Sequence, residues 1–366
     1  MFIVIGIFAM LIYGVLVYYI GWRGYRWLRP KTSTLRFKTL YIIVIVLAAC
    51  SFLIGRIPGL KILGILGAYW MAVFYLLLLL VPLAHITVIL LRFTRLPRHR
   101  TQFWAGLTTL ALLVSLLGYG TFNAYTPIVR PYTIKMDKGT SPVSYLNITM
   151  AADTHFGLLS GKDHAERLVK EMNKLKPDLI LLPGDLFDDD IQPFIDQKID
   201  VVLSKLQAPY GVYATLGNHD KHNGTMQELI DTLERSGIHV LYDETIIIND
   251  QLTLIGRKDK SDLDRLSLDK LMSSIDPDKP VIVMDHQPTE LDVSEQAGVD
   301  LIVSGHTHHG QVFPGNLITN ALFENDWGYL KKGNMHSIVT SGFGFWGPPI
   351  RIGTRSEIVN IKVEFE

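Results

Sequence analysis

The chain of 366 residues carries 35 basic and 35 acidic residues and a single cysteine, which excludes a disulfide-stapled scaffold, since bridges need paired thiols. Its neutrality averages two unlike parts. Residues 1–127 hold twelve Lys and Arg and no Asp or Glu, whereas residues 128–366 hold 23 basic against 35 acidic residues, so the second part, acidic and without a long basic stripe, excludes nucleic acid as a partner.

Residues 1–127 contain four apolar stretches bounded by basic residues: Phe2 to Ile20, Thr39 to Gly55, Ile62 to Leu91 and Phe103 to Phe122. A helix crosses a bilayer with roughly 17 to 25 mainly apolar residues. Four spans are therefore expected, and the first lacks the basic n-region and small-residue cleavage site of a signal peptide. The third contains Pro82 and is overlong, which reads as one tilted or kinked span. Basic residues crowd the segments after spans one and three, from Arg23 to Lys38 and from Arg92 to Arg100. The positive-inside rule puts those segments in the cytoplasm. An even number of spans then places the remainder, residues 128–366, on the extracytoplasmic face of the cell membrane. Cys50, within span two, reads as a small packing residue.

The acidic part alternates strand and helix patterns. Tyr145 to Ala151 is a strand, Asp163 to Leu175 a helix, Leu179 to Leu182 a strand, Ile195 to Leu206 a helix, Gly211 to Leu216 a strand and Met226 to Ser236 a helix. Val281 to Met284 and Leu301 to Val303 are further strands. Continuous apolar strands with helical crossovers predict an α/β layered fold. Residues Asn123 to Ser144 read as the short connection from span four.

Five blocks of metal-ligand side chains follow those strands: Asp153-Thr154-His155, Gly184-Asp185, Gly217-Asn218-His219-Asp220, His286-Gln287-Pro288 and Gly305-His306-Thr307-His308. In open α/β sheets functional groups gather beyond the carboxyl ends of strands. Taken singly, Asp, Asn and Gly there are ordinary turn and cap residues. In series they specify a dinuclear metal site. Asp188-Asp189-Asp190 reads as a solvated loop, and His164, His239 and His336 as surface or core histidines.

The series resembles the calcineurin-like metallophosphoesterase superfamily across the whole of residues 128–366, and the ending Thr340 to Arg355 with Gly310-Gln311-Val312 is similar to its bacterial membrane-associated branch. That resemblance implies a four-layer α/β/β/α sandwich behind the four-span helical domain. It implies that Asp153, His155, Asp185 and His308 hold one ion and that Asp185, Asn218, His286 and His306 hold the other. Such mixed ligands suit two divalent Mn, Fe or Zn ions better than Ca. It further implies hydrolysis of a phosphate ester or pyrophosphate by a hydroxide shared between the ions, with His219 at the leaving-group oxygen and Asp220 orienting its ring. His309 departs from the branch, where Gly is common, and is expected at the substrate mouth. His222, Arg351 and Arg355 are further candidate substrate contacts, and Phe345 to Pro349 reads equally as a turn or an aromatic rim.

Attachment to the membrane points to a lipid-linked or small phosphorylated substrate at the bilayer surface. Two other readings remain open from the sequence: a cytoplasmic-face pyrophosphatase of the UDP-diacylglucosamine type or a nucleotide phosphodiesterase, and a membrane sensor that only binds a phosphorylated ligand.

Overall fold

In the computed structural model the four apolar stretches form α1 (Phe2–Leu28), α2 (Leu35–Ile54), α3 (Lys61–Leu90) and α4 (Arg98–Tyr125). The structure describes residues 2–29, 34–55, 57, 59–136, 145–188 and 190–365, with the side chains of residues 2, 3, 222 and 223 outside that description. All four helices are long and apolar enough to cross a membrane. Close approach of α2 and α3 depends on Gly67, where a Cβ would collide with the Phe52 backbone, the small-residue contact that helices use in lipid. A polar thread joins three of the helices: Trp70 Nε1 donates to Tyr13 Oη at 2.7 Å, which donates to the Ala49 carbonyl at 3.0 Å. Pro82 lies inside α3 and the helix continues through it.

Two compact units divide the chain, one of Met1–Thr121 with Gly347–Pro349 and the other of Phe122–Trp346 with Ile350–Glu366. The division falls within α4, earlier than the change of composition at 127/128, because the last turn of α4 is bonded into the second unit. Asn123 Nδ2 donates to the Arg351 carbonyl at 3.2 Å and Ser356 Oγ donates to the Ala124 carbonyl at 2.7 Å.

The second unit runs β1 (Ile128–Met136), β2 (Tyr145–Met150), α5 (Lys162–Lys174), β3 (Leu179–Pro183), α6 (Gln192–Asp196), α7 (Ile199–Leu203), β4 (Val212–Thr215), α8 (Met226–Arg235) and β5 (Ile238–Val240). It continues with β6 (Glu244–Ile248), β7 (Leu252–Gly256), α9 (Leu268–Met272), β8 (Val281–Met284), α10 (Leu291–Gln296), β9 (Leu301–Ser304), α11 (Gly315–Leu322), β10 (Gly328–Lys332), β11 (Met335–Val339) and β12 (Glu357–Phe365). One sheet has the order β1-β12-β2-β3-β4-β5 and the other β10-β11-β9-β8-β7-β6. Strands β2 to β5 are mutually parallel, as are β7, β8, β9 and β11.

Period-two alternation sorts the strand side chains into layers. Leu179, Leu181, Ile282 and Met284 meet between the sheets, while Ile180 and Leu182 face α5, α7 and α8 and Val281 and Val283 face α9 and α10. The result is the expected α/β/β/α sandwich. Each fully buried Leu or Ile stabilises it by about 1.5–3 kcal/mol relative to exposure.

Two local expectations differ. The connection after span four is no loose tether: Ile128–Met136 is an edge strand paired in parallel with β12, with Val129, Pro131, Thr133 and Lys135 facing outward and Arg130 on the other side, so that no clean polar/apolar alternation marks it in the sequence. The helix expected over Ile195 to Leu206 is broken into α6 and α7 at Lys198, which has φ 53°. Gln197 makes the break by donating to the carbonyls of Gly157 and Pro193.

Candidate dinuclear metal site

Five parallel strands deliver the candidate ligands. Strands β2, β3 and β4 of one sheet end just before Asp153, Asp185 and Asn218, and β8 and β9 of the other end just before His286 and His306. The loops can approach because two residues lack a Cβ: one added at Gly217 would collide with Asp185 Oδ1, and one at Gly305 with Asp153 Oδ2. Bonds stitch these loops together, both between the sheets and within the first one. The His306 amide donates to both Asp153 oxygens at 2.9 and 3.0 Å, and the His219 amide donates to Asp185 Oδ1 at 2.9 Å.

Two clusters result, Asp153 with His155 and His308, and Asp185 with His286 and His306, each with its donor atoms within 4.8 Å of one another. His155 Nε2 lies 3.2 Å from His308 Nε2, which lies 3.5 Å from Asp153 Oδ1. His286 Nε2 lies 3.0 Å from Asp185 Oδ2, and that same oxygen is 3.9 Å from His155 Nε2. Asp185 therefore faces both clusters. Five of these residues have left-handed backbone: Asp153 (φ 52°), His155 (41°), Asp185 (52°), His306 (72°) and His308 (48°). Such conformations cost on the order of 1–3 kcal/mol each and persist where the surroundings over-determine them.

Residues 146–310 match the model of the calcineurin-like phosphoesterase family. A metallophosphoesterase of Aquifex aeolicus is 32% identical over 266 residues, covering 69% of this chain and 98% of its own. One of Helicobacter pylori (strain J99) is 30% identical over 263 residues, 68% of each chain. A Danio rerio transmembrane protein with a metallophosphoesterase domain is 28% identical over 276 residues, covering 70% of this chain and 62% of that one. The chain belongs to the calcineurin-like metallophosphoesterases. It is a phosphoester hydrolase of a family that uses dinuclear metal centres, and the two clusters are candidate metal-binding groups.

The donor chemistry of this metallophosphoesterase fits such a centre. Atoms bound to one ion at about 2.1 Å stand about 3.0–3.4 Å apart, close to the 3.2 and 3.5 Å of the first cluster and the 3.0 Å between His286 and Asp185 in the second. His286 Nδ1 lies 2.9 Å from the Pro183 carbonyl and donates to it, so that Nε2, 3.0 Å from Asp185 Oδ2, is the nitrogen that the neutral ring would turn to a cation. Burial disfavours charge on His286, but Asp185 and Asp153 outweigh it and push its pKa up to about 10. Burial likewise opposes the Asp185 charge, yet His286, His155 and His219 hold its carboxyl well below the usual range. The amide oxygen of Asn218 is buried with no hydrogen-bond partner among the described residues, an oxygen that a cation would satisfy.

Arg351, Arg355 and His309 have partners within the protein. Arg351 is completely buried; its guanidinium donates to the Gly344 carbonyl at 2.7 Å and reaches the His308 carbonyl and Nδ1, so it backs a candidate ligand. Arg355 Nε donates to the Thr126 carbonyl at 3.2 Å and fastens the chain leaving α4. His309 turns to Asp326, 3.1 Å away, and stacks on Trp327. Asp220 accepts the amides of Leu186, Phe187 and Gly217, so its carboxylate organises the loops. His222 has its side chain outside the described residues. His219 is at the site, its ring 5.1 Å from that of His155 and 5.4 Å from that of Trp346.

Sequence reasoning set Asp188 aside as solvated loop, yet its Oδ1 lies 3.9 Å from His155 Nδ1. It also missed Asp326, buried and tied to His309, Thr307 and Thr319. Trp346 is half exposed, with its ring beside that of His219.

Proposed function

We propose that this enzyme hydrolyses a phosphate ester or pyrophosphate whose organic part is anchored in its own membrane, using two Mn, Fe or Zn ions. The convergence of two ligand clusters on Asp185 carries the hydrolytic part of this reading. Asp153, His155, Asp185 and His308 would hold one ion and Asp185, Asn218, His286 and His306 the other. When bound, such a pair supplies Lewis acidity toward phosphoryl oxygens and neutralises their charge. The chain's own contributions are positional. The His219 amide locks Asp185 in place, and the His219 ring, flanked by Trp346, is set to donate a proton to the leaving-group oxygen. Trp346 supplies an aromatic face for the organic group.

The lipid-linked part rests on the tether. Asn123 in the last turn of α4 bonds Arg351, and Arg351 bonds His308, so two side chains separate the end of a candidate span from a candidate ligand. An enzyme held this way meets headgroup phosphates at high effective concentration. The basic segments after α1 and α3 favour the extracytoplasmic face for the second unit.

Metal content and turnover of the purified full-length protein test the reading. Asp185→Asn should lose metal and activity together, whereas His219→Gln should keep its metal while kcat falls about 10²- to 10⁴-fold. An Asp185→Asn variant with full activity would refute the assignment, and strong preference for soluble nucleotides over lipid phosphates would refute the substrate class. A cysteine at the exposed Leu263, in a Cys50→Ser background, should react with an impermeant maleimide on intact cells; labelling only after lysis would reverse the orientation.

A further inference from the structure

The segment from Gly310 to Phe323 contains no charged residue, although it begins two residues after the last candidate ligand, His308, and lies at the surface. Within it, α11 has no buried residue. Leu317, Ile318 and Leu322 are 61%, 62% and 73% exposed, and Phe313, just before the helix, is half exposed. At 100° per residue, Leu317, Ile318, Ala321 and Leu322 fall within an arc of about 140°. Isolated surface leucines need no explanation. A contiguous apolar face marks an interaction site.

The inner side of α11 is fixed to the site. Thr319 Oγ1 donates to Asp326 Oδ2 at 2.8 Å, the carboxylate that His309 also meets, while the Asp326 carbonyl accepts from Thr307 Oγ1 at 2.6 Å. Gly310 and Gly315 permit this join, since a Cβ on either would strike the backbone of the other segment. The Phe323 ring lies 6.0 Å from that of His306. The apolar arc is thus a rigid lip beside the candidate ligands, with Trp346 a further exposed aromatic at the site.

We infer that Phe313 and the outer face of α11 enter the interfacial layer of the enzyme's own bilayer and seat the site over a phosphate at headgroup level. This deepens the lipid-linked reading and rests on it for the identity of the substrate. The occupant is lipid for two reasons. The unit that bears α11 is continuous in the chain with α4, whose last turn is bonded into it through Asn123 and Ala124, so it stays beside any membrane that α4 crosses. A helix face bearing Leu, Ile and Phe with no carboxylate matches the acyl boundary, where apolar burial drives binding and Trp is favoured.

The test places single cysteines at Leu317, Ile318 and Leu322 of the full-length Cys50→Ser protein, with Val293 and Ile247 as exposed controls remote from α11 in sequence. Each is labelled with an environment-sensitive fluorophore and the protein is reconstituted in phosphatidylglycerol–phosphatidylcholine nanodiscs. Blue-shifted α11 probes, quenched at least threefold more by brominated lipid than the controls, are expected. Probes that stay iodide-accessible like the controls overturn the inference. Blue-shifted probes unaffected by bromolipid also overturn it, in favour of a protein partner. This readout needs no turnover, so it stands apart from the hydrolytic reading. As a second arm, Leu322→Asp should leave turnover of a soluble aryl phosphate unchanged and lower that of a vesicle-borne lipid phosphate about tenfold; equal turnover of both substrates overturns it.

Discussion

Arg351 places Nη2 3.2 Å from Nδ1 of His308 and Nη1 3.3 Å from the same residue's carbonyl oxygen. A completely buried guanidinium therefore grips both the ring and the backbone of one candidate metal ligand, whose left-handed φ of 48° needs such support. The same guanidinium bonds Gly344, so the β12-side loop and the ligand turn are held as one piece.

Replacement of Arg351 by Lys should break this support, because an ammonium cannot form the planar fork. Partners that orient metal ligands typically contribute 10- to 100-fold to affinity. Arg351→Lys should accordingly weaken binding of one ion by about that factor, read by calorimetric titration of the metal-stripped protein. Unchanged affinity at both sites would mean that the guanidinium serves packing alone.

Asp220 gives a contrasting expectation. Its carboxylate accepts three backbone amides in a fully buried setting, and removing it in Asp220→Ala leaves those donors unsatisfied at about 1–3 kcal/mol each. The variant should lose several kcal/mol of stability in denaturant unfolding of the full-length protein in detergent. If Asp220 instead acted by orienting His219, the pH profile of kcat would shift while stability stayed the same.

His164 should make the fold acid-sensitive. Burial against Phe343 and Tyr125 pushes its pKa down from 6.5 to about 4. The folded form thus binds fewer protons than the unfolded chain between those values, and stability present above pH 6.5 is lost as pH falls through the window. The loss approaches about 3 kcal/mol near pH 4. Thermal unfolding at pH 7 and pH 4.5 should show a smaller decrease for His164→Gln than for the parent protein; equal decreases would assign the acid sensitivity to other groups.

The strands that carry Asp153, Asp185, Asn218, His286 and His306 were legible because parallel strands buried on both faces must be continuously apolar, and their polar ends then stand out. The four spans were legible for a similar reason: the bilayer tolerates few charges, and residues 1–127 have no acidic ones. β1 was hidden because an edge strand with one wet face has little apolar signal. The break at Lys198 was hidden because it depends on Gln197 finding carbonyls far along the chain and close by.

Within the site the divide follows the range of the interaction. Ligand type and order are local, written in each block, so the sequence alone determined the chemistry and the candidate donors of this metallophosphoesterase. What surrounds the donors comes from distant segments. Arg351 behind His308, Asp188 beside His155, Asp326 between His309 and Thr319, and the apolar outer face of α11 beside them exist only once segments apart in the chain pack against one another. A surface arginine and a buried one look the same in a chain, since burial is a property of what packs around a residue, and only the tertiary structure decides that.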